Sequence, residues 1–240
     1  MSYRIHGLTL LEVMLALFFS LFLTAILTHL FLRQHKNYLQ QQEYLMVAAS
    51  AHKVLTLLQD EIRMAGQVGC AKLTEDFVVW PYHEFSLTLK NRLVITENDL
   101  RVRYQSFPAA YVKHKNGRNS LISMSDVHFQ KDQLLIVSDC AHAEIIQAKS
   151  VRLSGDSQII TTTEPLRFDY QAGAEIGHMV ARHYFVARDL LREEQGGRRN
   201  TVQHNIQHLQ FQQDAHGIHY SFQTTFHDAL ENWYGYAATE

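Results

Sequence analysis

The chain has 240 residues, with 22 Lys and Arg, 24 Asp and Glu, and a formal net charge of −2. Hydrophobic residues make up 46% of the chain and charged residues 19%. This composition argues against a disordered chain, a collagen-like repeat and a small Cys-rich secreted domain. The near-zero charge argues against a dedicated nucleic-acid binder, which is usually basic. The length suffices for a long helix and one globular domain.

The first element is an apolar segment at residues 8–32, LTLLEVMLALFFSLFLTAILTHLFL, which has one charged residue, Glu12, and no Gly or Pro. As a helix it would be roughly 37 Å long, longer than the ~30 Å hydrocarbon core of a bilayer. It is apolar on all sides, which predicts a membrane-spanning helix rather than a buried core helix. A secretory signal peptide would be shorter and followed by small residues, but Leu32-Arg33-Gln34-His35 follows here.

Glu12 is unusual because a carboxylate within a membrane costs on the order of 3 kcal/mol. Its side chain could extend to the interface, or it could pair with a cation. If the chain were cut after Gly7, Leu8 would carry a free amino group and Glu12 would be the fifth residue. One subunit's Glu12 could then neutralise a neighbour's N-terminal amine.

The motif Gly7-Leu8-Thr9-Leu10-Leu11-Glu12 resembles the class III leader of type IV pilins and of type II secretion pseudopilins. The resemblance implies that a prepilin peptidase cuts between Gly7 and Leu8, that Leu8 is then N-methylated, and that Glu12 guides assembly. Two residues depart from the family: Leu8 replaces the usual Phe, and His29 stands where major pilins often have Pro.

Three further blocks resemble PilW-type minor pilins, relatives of the J-type pseudopilins. They are Asp60–Cys70 (DEIRMAGQVGC), Leu134–Cys140 (LLIVSDC) and, more weakly, Val180–Ala187 (VARHYFVA). The resemblance implies a pilin-like α+β fold with no catalytic residues, cofactor or metal. It also implies a minor pilin that primes pilus assembly or lies at the tip, with other minor and major pilins, the inner-membrane assembly platform and the lipid bilayer as partners.

The expected organisation is a leader at 1–7, a transmembrane half-helix at 8–32, an amphipathic half-helix at 33–66 and a periplasmic β-rich domain at 67–240. Arg4 precedes the apolar segment while Arg33 and Lys36 follow it, so the positive-inside rule alone favours the opposite orientation. The leader resemblance favours an inner-membrane protein with its C-terminal domain in the periplasm, later in the pilus. A J-type pseudopilin, and a membrane-anchored periplasmic enzyme or sensor, are the alternatives.

Apolar residues recur at helical spacing from Leu39 to Ala65, and Gly66 is a stop signal. This pattern predicts one helix that lays a face on the globular domain; a coiled coil would need sustained heptads. After Cys70, runs rich in Val, Ile, Tyr and Thr predict an antiparallel sheet packed on the helix. The predicted strands are 77–80, 100–104, 133–138, 144–152, 158–162 and 182–187, with a hairpin of 205–213 and 218–223. Flexible loops are expected at 114–120 and 192–201.

The two cysteines, Cys70 and Cys140, are 70 positions apart, unlike a CxxC redox or zinc motif. If the domain lies outside the cytoplasm, a structural disulfide is the natural interpretation; two buried free thiols are the alternative.

Other candidate sites are weak. His204 and His208 could bind one metal only if their segment were helical, because on one strand they would lie about 13 Å apart. The basic clusters at 113–118 and 196–199 could contact DNA, although solvated loops are the simpler interpretation. Trp233, Tyr234 and Tyr236 are interpreted as packing residues or as a partner surface.

Overall fold

A computed structural model describes residues 10–107, 109–124, 127–226 and 229–238 of the chain. One helix, α1, spans Leu10–Met64, as expected for a segment that has no Gly or Pro before Gly66. The chain divides into two compact units, Met1–Ser50 and Ala51–Glu240. The first unit is helical throughout its described part, and the second contains the end of α1 and all the described strands.

The described part of the chain has sixteen strands. The first eight are β1 (Gln67–Val68), β2 (Ala71–Lys72), β3 (Val79–Trp80), β4 (Leu93–Ile95), β5 (Asp99–Gln105), β6 (Ala110–Lys115), β7 (Ser120–Met124) and β8 (Leu134–Ser138). The others are β9 (Ala143–Ser154), β10 (Ser157–Thr162), β11 (Glu175–Ala187), β12 (Leu190–Gln195), β13 (Arg198–His204), β14 (Ile206–Gln213), β15 (Gly217–Phe226) and β16 (Ala229–Ala238).

The long strand β11 organises the second unit because its two halves have different neighbours. Its first residues pair with β6 on one side and with β8 on the other. Further pairs join β6 to β7, β7 to β10, β10 to β9 and β9 to β8, so six strands form a closed ring. Leu121, Leu135 and Ile160 are fully buried in the apolar cluster of these strands, as the alternation of side chains along a closed sheet requires.

The second half of β11 pairs with β5 and β12, which extend the sheet to β4 and β13. The end of α1 packs here: Val54, Leu58 and Ile62 share an apolar cluster with residues of β5, β11 and β12. The three-stranded sheet β14-β15-β16 contributes to the same cluster through Phe222 and other residues. The cluster therefore joins helix and both sheets in one core.

The α+β prediction, a long N-terminal helix packed on largely antiparallel β-structure, is confirmed. The helix ends as predicted, since Gly66 has φ +80°, a conformation that favours glycine. One pair departs from the antiparallel pattern, because β3 runs parallel to β9. The apolar residues Leu39 and Leu45 were expected on the packed face, yet they are exposed, and the buried positions of the helix begin at Ala51.

All six predicted strands and the hairpin are present, with shifted ends. Of the two segments predicted as flexible loops, 114–120 contains the connection between β6 and β7, at residues 116–119. The prediction for 192–201 is wrong, because these residues form the turn and flanking strands of the β12–β13 hairpin. The strands of this hairpin are rich in charged and polar residues, so they lack the apolar alternation that predicts a strand.

Candidate functional site

The first candidate feature is the N-terminal part of α1. Every residue from Leu10 to Leu32 is exposed, including Leu21 at 69% and Phe31 at 65%. Among the described residues, α1 is the one helix that is long and apolar enough to cross a membrane. An exposed apolar surface of this length is stable in lipid but not in water.

Hydroxyl groups within this segment bond back to the helix. Ser20 Oγ donates to the Leu17 carbonyl at 2.9 Å, Thr24 Oγ1 to the Ser20 carbonyl at 2.7 Å, and Thr28 Oγ1 to the Thr24 carbonyl at 2.8 Å. An unsatisfied polar group in hydrocarbon costs several kcal/mol. These three hydroxyls therefore find partners without leaving the helix, which suits an apolar solvent.

Glu12 lies in the first turn of α1 and is exposed. It is the one Asp, Glu, Lys or Arg between Leu10 and Leu32. An acidic residue near a helix N-terminus interacts favourably with the unpaired N–H groups there. Gly7 and Leu8, the predicted cleavage and methylation positions, lie outside the described residues.

The second candidate feature is the Cys70–Cys140 disulfide, whose Cα atoms are 5.6 Å apart. It connects the turn between β1 and β2 to the end of β8, so the predicted pairing is present. Gly69 has φ +54°, and a side chain at this position would collide with Ser138 Oγ. Both cysteines are exposed, which excludes the alternative of two buried thiols.

The third candidate feature is a buried polar cluster where α1 meets β5, β11 and β12. Glu61 is 5% exposed and forms an ion pair with Arg182 Nη1. The Tyr104 hydroxyl donates to Glu61 Oε1 and Oε2 at 3.1 and 3.2 Å. Arg182 Nε also lies 2.9 Å from Glu193 Oε1. Glu61, on the buried face of the helix, is thereby matched by partners from β5 and β11, and Glu193 of β12 shares the charge of Arg182.

Burial raises the pKa of the Glu61 carboxyl, and the Arg182 guanidinium and the Tyr104 hydroxyl oppose that rise. Burial and the Glu61 carboxylate raise the pKa of Tyr104 well above its usual range. Tyr104 therefore stays protonated and remains a donor at neutral pH. The cluster fixes the end of α1 on the sheet, because a buried carboxylate is tolerated only where its partners are in place.

Three of the sequence blocks singled out above meet in this unit: Asp60–Cys70, Leu134–Cys140 and Val180–Ala187. The block Asp60–Cys70 contacts Leu134–Cys140 through the disulfide and contacts Val180–Ala187 through Glu61 and Arg182. Gly66 adds a backbone link, since its N–H donates to the Arg103 carbonyl at 2.8 Å. The disulfide joins residues 70 positions apart and the Glu61–Arg182 pair joins residues 121 positions apart, so both are tertiary contacts.

Sequence reasoning missed the Glu61–Arg182 pair. One signal was present: Leu58, Glu61 and Ala65 lie three and four residues apart, so Glu61 occupies the apolar face that helical periodicity defines. A charge at such a position requires a buried partner.

The residues of the weaker candidate sites, the histidines and the two basic clusters, do not come together into one site. Among the described residues, no group of three or more His, Cys, Asp or Glu is arranged to hold a metal ion. His204 ends β13 and His208 lies in β14, so the helical arrangement that a shared metal would need is not present. Lys115 pairs with Asp169 at 3.0 Å and Arg199 with Glu194 at 2.9 Å, so both basic clusters include charges with protein partners.

Comparison of the chain with protein-family models, with curated proteins and with solved structures finds no match.

Proposed function

We propose that the chain is a non-catalytic structural subunit of the type IV pilin and pseudopilin class, most similar in its motifs to PilW-type minor pilins. In this proposal the leader is removed after Gly7, Leu8 becomes the methylated N-terminus, and Glu12 pairs with the terminal amine of a neighbouring subunit. The protein waits in the inner membrane with its β-rich domain in the periplasm and then joins other minor and major pilins to prime the fibre.

The exposed apolar surface of residues 10–32 carries this proposal. It belongs to a helix that continues without a break to Met64, where the disulfide-linked unit buries its last turns. An apolar helix of this length can lie in lipid before assembly and against other apolar helices afterwards, because both surroundings exclude water. A disulfide suits a compartment outside the cytoplasm.

N-terminal sequencing of the membrane-derived protein tests the leader. In a pilus-forming cell with its prepilin peptidase, the wild-type chain should begin at Leu8, whereas Gly7→Ala should retain the full leader. His6→Ala, one residue earlier, is the matched control and should be processed normally. Equal amounts of processed Gly7→Ala and wild-type protein would contradict the proposal, as would a functional wild-type protein that keeps its first residue.

The amount of this chain in fibres that are sheared from the cells and purified tests the role of Glu12. Glu12→Ala should leave cleavage intact but reduce incorporation about 100-fold, because an unpaired charge on the neighbour's amine costs roughly 3 kcal/mol within apolar surroundings. Glu43→Gln, on an exposed acid of the same helix, is the control and should be incorporated normally. Normal incorporation of Glu12→Ala would remove the proposed role of Glu12.

A further inference from the structure

The outer surface of the sheet β14-β15-β16 carries no Asp, Glu, Lys or Arg from its own strands and is rich in amides. Its side chains alternate with those that enter the core: Phe211, Tyr220 and Phe222 are buried, and their neighbours along the strands point outward. We call this surface the amide–tyrosine face. It is defined by Gln210, Gln212, Ser221, Gln223, Asn232 and Tyr234.

The strand register places these groups in rows across the sheet. Gln210 pairs with Ser221, and Ser221 pairs with Tyr234. In the next row Gln223 pairs with Asn232, and its Nε2 donates to the Asn232 Oδ1 at 2.9 Å. Directly opposite residues on neighbouring strands lie about 5 Å apart, so the rows form one continuous surface.

Two tyrosine rings border the amides along β16. Tyr234 is 75% exposed. Tyr236 lies against Gly217, where a side chain would collide with its ring, and its hydroxyl donates to the His216 carbonyl at 2.9 Å. Two residues apart on one strand, the rings are separated by roughly 7 Å. Tyr236 is thus fixed in place while Tyr234 presents an open ring.

The amide–tyrosine face carries no Lys or Arg, and its ionisable groups lie at one end. There His219 is paired across the strands with Gln212 and Tyr236, and its Nε2 lies 2.9 Å from Asp214 Oδ2. Glu231 is the one Asp, Glu, Lys or Arg in the three strands. It pairs with Thr224, whose side chain is buried, and so belongs to the opposite surface of the sheet. A groove of about 410 Å³ runs past Gln210, Gln212 and Tyr234, with Glu97 among its lining residues. Glu97 is the one carboxylate among the residues that line this groove.

These groups match the chemistry of a sugar chain. Each amide can donate and accept hydrogen bonds, as vicinal hydroxyls do, and an exposed tyrosine ring offers an apolar surface with a polar tip. The middle of a protein–protein interface is richer in apolar side chains, whereas the middle of this face is Gln210, Ser221 and Gln223. The three strands carry no Lys or Arg, and the carboxylates of Glu97 and Asp214 lie at the edge of the face. This arrangement disfavours nucleic acid, which binds through its phosphates, and favours a neutral ligand.

We propose that the amide–tyrosine face binds a neutral polysaccharide. The ring of Tyr234 stacks on the C–H surface of a sugar unit, and the side chains of Gln210 and Gln223 bond to the hydroxyls of the same or the adjoining unit. The binding is independent of leader cleavage and of Glu12.

The test is retention of the full-length chain on insoluble neutral polysaccharides. The protein is kept in octaethylene glycol dodecyl ether, a detergent without a sugar headgroup, and mixed with cellulose, chitin or mannan-agarose. We expect retention on at least one of the three, with affinity roughly tenfold weaker for Tyr234→Ala and roughly fivefold weaker for Gln210→Ala. Raising NaCl from about 50 to 500 mM should change retention less than twofold, because screening acts on charges.

Two variants separate stacking from loss of fold. Tyr234→Phe keeps the ring and should retain most of the binding. Tyr111→Ala removes a tyrosine that is 55% exposed on β6 and should bind like the wild type. The proposal is overturned if none of the three polysaccharides retains the chain, if Tyr234→Ala is retained equally, or if Tyr234→Ala impairs only incorporation into fibres, which would indicate a protein partner.

Discussion

The two ends of α1 have the same backbone structure and opposite surroundings. From Leu10 to Leu32 every residue is exposed, whereas Ala51, Val54, Leu58 and Ile62 are buried at helical spacing. Helical backbone bonds are satisfied within the helix in both regions. Burial, not the backbone, therefore distinguishes the apolar residues that stabilise the globular unit from those that only an apolar solvent such as lipid would cover.

The largest expected difference between the two regions is in the effect of the same substitution, Leu to Ala. Leu58→Ala removes a fully buried side chain and should lower the free energy of unfolding by about 2–5 kcal/mol. Leu21→Ala removes one that is 69% exposed and should change it by less than about 0.5 kcal/mol. Urea denaturation of the detergent-solubilised chain, followed by tryptophan fluorescence, measures both. Equal effects would show that the two regions are not distinct.

The buried Glu61–Arg182 pair belongs to the second of these regions. Glu61→Gln removes the carboxylate that faces Arg182 and should lower the free energy of unfolding by about 2 kcal/mol, because Glu193 still neutralises part of the guanidinium charge. Glu194→Gln is the matched control: its partner Arg199 is 62% exposed, so the loss should stay below about 1 kcal/mol. If urea midpoints show equal losses, Glu61 does not fix the helix end.

The smallest expected effect is the dependence of the free energy of unfolding on pH. Burial raises the pKa of Glu144 above its usual 4.5, so the folded chain binds that proton more tightly than the unfolded chain. The stabilisation is complete below pH 4.5 and is lost as pH rises through the higher pKa of the folded chain. A tenfold difference in proton affinity between the two states corresponds to about 1.4 kcal/mol. Glu144→Gln cannot ionise and should lack this decline.

Urea unfolding of wild type and Glu144→Gln between about pH 4 and pH 8 measures the difference. The free energy of unfolding of the wild type should fall relative to that of the variant as pH rises. Glu164→Gln, on an exposed side chain, controls for the added amide. A wild-type curve parallel to that of Glu144→Gln would contradict the role of Glu144.

Local signals made much of this fold predictable. Absence of Gly and Pro predicted α1, and Gly66 predicted its end. Val- and Ile-rich runs such as 134–138 predicted strands, because β-branched side chains favour a pleated surface. The disulfide was also expected, since the spacing of Cys70 and Cys140 is unlike a redox or zinc motif and the domain was predicted to lie outside the cytoplasm.

The remaining features depend on contacts that no local pattern reveals. The β12–β13 hairpin carries Arg192, Glu193 and Arg199, so its strands lack apolar alternation. The closed ring depends on β11 pairing with both β6 and β8, which is a property of tertiary topology. The amide–tyrosine face was visible only in part: Tyr234 was identified as a candidate, but its glutamine neighbours lie on other strands and needed the register.

The position of the disulfide has a consequence for the order of maturation. Cys70 and Cys140 are exposed, and the strands around them bring their Cα atoms to 5.6 Å. An oxidising enzyme can therefore reach both thiols after the strands have paired, with no need to enter the apolar interior. Covalent closure can be the last event of folding, so that it seals a conformation which the rest of the chain has already selected.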